Sequence, residues 1–255
     1  MDTSALMART IFYYDIIDTI ASHSRDSDNV WKNNAYAFLG SKLPVETMYG
    51  TYIDIMQDYF SQGGFSTIMH SSEEGSDFKL THSYQTGSNY IMGGVHGNYY
   101  WYVPGARWPI TAGGTAYDIT NTLTLEMGPS VIFLVSCITG RIDGLNATNC
   151  LCMAYMHIGA NCYVGATRST YGSVDTSIDF DMKLEAEGAV MLSEMYTADL
   201  MANETVGMAL RDSKNEYLPN DIATGGITGE LAKTIFFHYM CYGDPDFNPY
   251  EPSNA

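Results

Sequence analysis

Five short apolar runs recur along the chain, separated by stretches in which apolar residues return every three or four positions. "NAYAFLGS" (34 to 41) is the first, with a glycine exit. Pro44 then opens a segment in which Met48, Tyr52, Ile55, Met56, Tyr59 and Phe60 share one helical face, and Gly63-Gly64 ends it. "FSTIMHS" (65 to 71), "NYIMGGV" (89 to 95), "SVIFLVS" (130 to 136) and "NCYVGAT" (161 to 167) are the other four runs. The same periodicity predicts helices at about 147 to 158, 186 to 215 and 228 to 241. An unbroken run such as Val131-Ile132-Phe133-Leu134-Val135 fits a strand covered on both faces. Strands alternating with helices predict an α/β fold, a mostly parallel sheet with helices on both sides. Ahead of it, "ARTIFYYDIIDTIASHS" predicts a helix, so residues 1–33 are expected as a helical lead-in and 34–255 as one domain. Residues 98–128, with Tyr99-Tyr100-Trp101-Tyr102, Pro104, Pro109 and Gly113-Gly114, interrupt the alternation and predict a long loop or a small hairpin insertion.

Charge narrows the partners. Twelve basic residues against 29 acidic ones give a net charge of −17, which argues against nucleic acid or an anionic membrane surface as a partner. Such an acidic, Lys-poor composition suits a secreted protein or an acidic habitat. No apolar run approaches the roughly 20 residues that span a bilayer. No secretory apolar region follows Met1, so the expectation is a cytosolic protein or a processed or truncated piece. The five cysteines (137, 150, 152, 162 and 241) leave at least one thiol unpaired if the others bridge, and all five reduced fits as well. Cys150-x-Cys152 matches no zinc spacing, so no metal site is expected. Neither a dinucleotide fingerprint nor a phosphate loop is present, so no cofactor is expected. "DPDFNPYEP" (244 to 252) begins like a calcium loop but lacks the turn glycine and the closing glutamate, which favours a structural turn. Asn146-Ala-Thr and Asn203-Glu-Thr match glycosylation acceptors, the second within an expected helix.

Two of the runs end in residues with chemistry. The third delivers His96 and then Gly97, and the fourth delivers Cys137. Residues just beyond the C-terminal ends of parallel strands sit at the rim where α/β folds place their sites. Were these strands neighbours, about 4.8 Å apart, thiol and imidazole would be within mutual reach. A thiol with a pKa of about 8.5 is only slightly ionised near neutrality, and a nearby histidine can take its proton. Gly97 and Gly140 lack a Cβ and leave room for a substrate carbonyl, while the N–H groups of Gly97 and Cys137 are candidate oxyanion donors. Each residue alone has an ordinary explanation, a buried structural cysteine and a surface or capping histidine. Histidines 23, 70, 82, 157 and 238 read as surface or packing residues.

Four ordered motifs, spanning about residues 34 to 249, resemble the gingipain-type peptidases of the caspase-like superfamily. They are "NYIMGGVHG", "SVIFLVSC" followed by "ITG", "GANCYVGATRSTYG", and the pair "ETVGMALRDSKNEY" and "YGDPDFNP". The resemblance implies a caspase-like three-layer α/β/α sandwich and a cysteine endopeptidase acting on a peptide or protein through a thioester. It makes Cys137 the nucleophile, His96 its acid/base partner, and Gly97 and Cys137 the oxyanion donors. Thr167, Arg168 and Tyr171 would line the pocket for the residue before the cut. Family members favour Arg or Lys there, chosen by an acidic pocket, for which Glu46 and Asp175 are available. Arg141 and Arg168, close in sequence to the nucleophile and the pocket strand, would instead favour an acidic residue. Some members orient the histidine with a carboxylate, but the first run closes on Phe38-Leu39-Gly40-Ser41, leaving Glu46, Glu73 and Glu74 as nearby acids. Members also carry an upstream subdomain and a leader, so an upstream subdomain or pro-segment outside this chain and an extracellular location are expected. The same scaffold would serve a silent module that binds peptides or partners, or a transpeptidase.

Overall fold

The computed structural model describes residues 30–39, 45–65, 67–71, 83–94, 96–102, 117–174, 186–224 and 229–248. The expected lead-in helix lies outside them, only a 3-10 turn at Val30–Asn33 being described of residues 1–33, and Glu73, Glu74 and Asp175 also lie outside.

The chain begins with strand β1 (Asn34–Leu39), helix α1 (Val45–Gln62), β2 (Thr67–Ser71) and β3 (Tyr90–Gly94). Gly64, at φ 85°, lets the chain leave α1 in a conformation that side chains resist. Three two-residue strands follow, β4 (Gly97–Asn98), β5 (Trp101–Tyr102) and β6 (Tyr117–Asp118). Then come β7 (Val131–Val135), α2 (Leu151–His157), β8 (Cys162–Ala166), β9 (Gly172–Val174) and β10 (Ala186–Gly188). Helices α3 (Ala189–Met201), α4 (Val206–Thr224) and α5 (Gly229–His238) lead into β11 (Tyr239–Gly243).

Six strands form one sheet in the order β11-β8-β7-β3-β1-β2. All its pairings are parallel except β11 on β8. Side chains alternate across it. Val131, Phe133 and Val135 of β7 enter a core shared with α1, α3, α4 and α5, whereas Ile132 and Leu134 enter a second core with α2 and the β4–β6 insertion. This is the mostly parallel, doubly covered α/β sandwich that the unbroken apolar runs predict. Burial of one such side chain contributes about 1.5–3 kcal/mol, so the two cores fix the strand ends firmly.

The insertion is anchored from beneath by buried tyrosines. Gln85 Nε2 donates to Tyr102 Oη at 2.9 Å, and Tyr155 Oη donates to Gln85 Oε1 at 2.5 Å. The third side, Tyr102 to Tyr155 at 2.8 Å, then has Tyr102 as donor, because the Tyr155 proton is already engaged. Burial pushes both phenols above their ordinary range.

Two expectations at the C-terminal end are corrected. The helix expected over 186 to 215 begins as strand β10, paired with β9, and the helical part is broken at residues 202–205, where Asn203 adopts φ 74°. That asparagine therefore sits in an exposed turn, not in a helix. The helix expected to reach 241 ends at His238. Tyr239–Gly243 instead pair antiparallel with β8, Tyr239 opposite Ala166. A run such as "FFHYMCY" suits either period, and the open edge of β8 decides in favour of a strand. The "GDPDF" stretch folds as a turn: Asp244 Oδ1 accepts from the Asp246 N–H at 3.0 Å, and the Pro245 and Phe247 carbonyls accept from the first turn of α4. Among the described residues no helix is long and apolar enough to cross a membrane.

Candidate active site

The parallel register of β3 and β7 places the two chemical residues opposite each other. Gly94 lies across from Val135 on the last shared rung. His96 and Cys137 each follow two residues later, at the same sheet edge. His96 is exposed and Cys137 half-buried. The expectation that their strands are neighbours holds.

Gly97 is where the two chains crowd. A Cβ there would collide with Ser136 Oγ and lie 3.1 Å from the Trp101 carbonyl, so the absent side chain serves the close approach of the strand tips. Gly140 is similar: a Cβ would strike the backbone of Gly165. Its bareness serves the packing of the turn on β8.

The turn after Cys137 is fastened to the segment after β8. The Ile138 N–H donates to the Arg168 carbonyl at 3.1 Å, and the Gly140 N–H to the Ala166 carbonyl at 2.9 Å. Ile138 itself has φ 62°, a left-handed conformation that a β-branched residue adopts at a cost of about 1–3 kcal/mol. Such strain is held in place by the surrounding bonds and is common next to reactive groups. The Cys137 thiol donates to the Thr170 carbonyl at 3.3 Å and accepts from the Thr170 N–H at 3.4 Å. Thr170 lies within the segment 167–171 that the sequence places along the pocket, but its hold on the sulfur is made by backbone, which leaves no residue-type signal.

Of the expected wall residues, Thr167 donates its N–H to the His238 carbonyl at 2.9 Å, which ties the segment to the end of α5. Tyr171 is 51% exposed, and its carbonyl accepts from the Ala189 N–H at 2.7 Å. Arg168 is exposed, and its Nη1 donates to Asp143 at 3.2 Å and to the Thr167 carbonyl at 2.8 Å. Arg141 Nε stands 3.8 Å from the same Asp143 carboxylate, with the guanidinium over the Tyr99 ring. Nothing is described of the Glu46 side chain.

Three of the other four cysteines are of another kind, while Cys241 is half-buried like Cys137. All five are free thiols. Cys150, Cys152 and Cys162 are buried, and burial pushes their thiols up, away from the reactive thiolate. Among the described residues no group of three or more His, Cys, Asp or Glu is placed to hold a metal ion.

No family model matches the sequence, and no curated protein does. Solved structures do match. Gingipain R, described as an Arg-specific cysteine proteinase, superposes with a TM-score of 0.63 at 16% identity, over 91% of this chain and 51% of that one. The complex of its pro- and mature domains from Porphyromonas gingivalis gives 0.59 at 13%, over 91% and 52%. A further protease gives 0.61 at 15%, over 92% and 52%. The chain spans about half the length of these structures, and what it shares with them is the fold.

Proposed function

We propose that the chain is a cysteine peptidase in which Cys137 is the nucleophile and His96 its proton carrier. The observation that carries this reading is the register: two residues beyond one rung, neighbouring strands present an imidazole and a thiol at a common edge. His96 takes the thiol proton as sulfur adds to the substrate carbonyl carbon. The N–H groups of Gly97 and Cys137 stabilise the resulting oxyanion. The C–N bond then breaks, His96 returns the proton to the leaving amine, and a thioester remains. Water, deprotonated by His96, adds to the thioester, releasing the acid and restoring the thiol. Thr167, Arg168 and Tyr171 line the pocket for the residue before the cut. The Thr170 contacts to sulfur are exchanged for substrate contacts as the site fills.

The likeness to gingipain R, described as Arg-specific, favours Arg before the cut, while the wall itself carries Arg168 with Arg141 beside it. By the same likeness, a pro-segment or upstream subdomain is a proposed partner and an extracellular location is proposed. The test is labelling with a peptidyl acyloxymethyl ketone. The expected result is modification of Cys137, abolished in Cys137→Ala and slowed in His96→Ala. Peptide binding without labelling would favour a silent binding module and overturn the reading.

A further inference from the structure

The segments that flank Cys137 carry charges that run against those of the molecule. In a chain with 12 basic residues and a net charge of −17, two guanidinium groups converge here on one carboxylate. Arg168 is held at the site by its backbone, whose carbonyl accepts from the residue after the nucleophile, and two residues later the Thr170 backbone touches the sulfur. Arg141 comes from the turn that follows the nucleophile. That turn is fixed by Tyr242 Oη donating to the Gly140 carbonyl at 2.6 Å and by the Cys150 thiol donating to the Arg141 carbonyl at 2.9 Å. Both cations are thus displayed from backbone that cannot drift far from Cys137.

Their one shared counter-charge is weakly held. Asp143 is 61% exposed, its hydrogen bond to Arg168 uses a single nitrogen of the fork, and its 3.8 Å approach to Arg141 is too long for a hydrogen bond. A second carboxylate can dock on the rest of the guanidinium fork, or displace Asp143 in a two-pronged pairing. A lysine or arginine of a substrate would meet two like charges instead. The field of the acidic molecule opposes an acidic substrate at a distance. It is screened over about 8–10 Å at ordinary ionic strength, whereas a carboxylate at hydrogen-bond distance from a guanidinium lies well inside that length.

We propose that the site selects peptides with Asp or Glu immediately before the cleaved bond, with Arg168 as the partner of that carboxylate and Arg141 in support. This rests on the peptidase reading. The test is a positional peptide library read by mass spectrometry, followed by kinetics on peptides that differ only in Asp, Glu, Lys or Arg at that position. The wild-type chain is expected to cut after the acids. Arg168→Glu is expected to shift the acid-to-base ratio of kcat/KM toward the bases by roughly tenfold or more, the scale of one charged hydrogen bond. Asp143→Asn, which frees the fork, is expected to lower KM for the acidic peptides. Iodoacetamide labelling of Cys137 in each variant verifies that the site is still formed. Preference for Lys, Arg or an apolar residue, or an acid-to-base ratio unmoved in a labelled Arg168→Glu variant, overturns the proposal and leaves the peptidase reading standing. A wild-type chain that neither labels nor cuts overturns both.

Discussion

The two ends of the central sheet are built to opposite rules. At the end where the parallel strands start, loops are closed by hydrogen bonds that step from strand to strand. The Asn89 N–H donates to the Asn34 carbonyl, Val131 to Asn89, and Asn161 and Cys162 to Ser130, at 2.8–3.2 Å. The polar side chains among them are buried: Asn89, Ser130 and Asn161 are fully covered. At the end where the strands finish, His96 is exposed, Cys137 is half-covered, Ile138 is left-handed, and a Cβ at Gly97 would crowd Ser136, Thr139 and Trp101. One end is buried and shut. The other holds strain and accessible chemistry, which is where sites of open parallel sheets lie.

The sharpest way to break this contrast is at the open end. Cys137→Ala is expected to abolish peptide cleavage while the melting temperature stays close to wild type, because the side chain is only partly packed. His96→Ala should reduce kcat/KM by roughly 10²–10⁴-fold, the usual share of a general acid/base. Retained turnover in either variant would remove the chemistry from this end of the sheet. Gly97→Ala comes next. Its methyl group collides with Ser136 Oγ, so a fall in kcat of about 10- to 100-fold is expected from displaced strand tips. Ser136→Ala in the same chain should restore part of it. An unchanged kcat for Gly97→Ala would mean that the spacing of the tips is not what holds the two residues in line.

The closed end should respond in stability alone. Asn89 Nδ2 donates to the Lys32 carbonyl at 3.0 Å, and Asn89→Ala leaves that partner unmet. A loss of about 1–3 kcal/mol in denaturant unfolding is expected, with kcat per folded molecule unchanged. A change in kcat would show that the ends communicate.

The smallest effect concerns Lys214, which packs beside the edge strand β11 and donates to the Tyr239 carbonyl at 2.5 Å. Burial lowers its pKa from 10.5 to about 8. A buried cation with a lowered pKa destabilises the fold wherever it is charged. The cost is therefore fully present below pH 8, fades as pH rises from about 8 to 10.5, and is gone above. Lys214→Met is expected to be more stable than wild type at pH 7, with the gap closing over that window in thermal melts. A gap independent of pH would assign the effect to packing.

How much of this was legible in the sequence follows from which groups carry the information. The parallel strands were readable because each carries a short apolar run, unbroken on both faces in β7, and the residues at their ends followed at once. The rim positions of His96 and Cys137 came from counting along "GGVHG" and "FLVSC". The edge strand Tyr239–Gly243 was not readable, since its pattern continues the periodicity of α5 and only the free edge of β8 distinguishes the two. Strands β9 and β10 were missed because each has three residues, too few for a period to show. The hold of Thr170 on the sulfur and the left-handed turn at Ile138 are properties of backbone that no side chain announces. Asp143 became relevant only when folding brought two arginines to it.

The paired contacts between the Cys137 sulfur and the peptide of Thr170 have a practical consequence. Because that peptide belongs to the same stretch as Arg168, the ease with which a small alkylating reagent reaches the sulfur becomes a gauge of how often the stretch lifts away. Slow, temperature-steep alkylation would report a cover that opens rarely, and a pocket ligand that fixes the stretch open would make the thiol react faster.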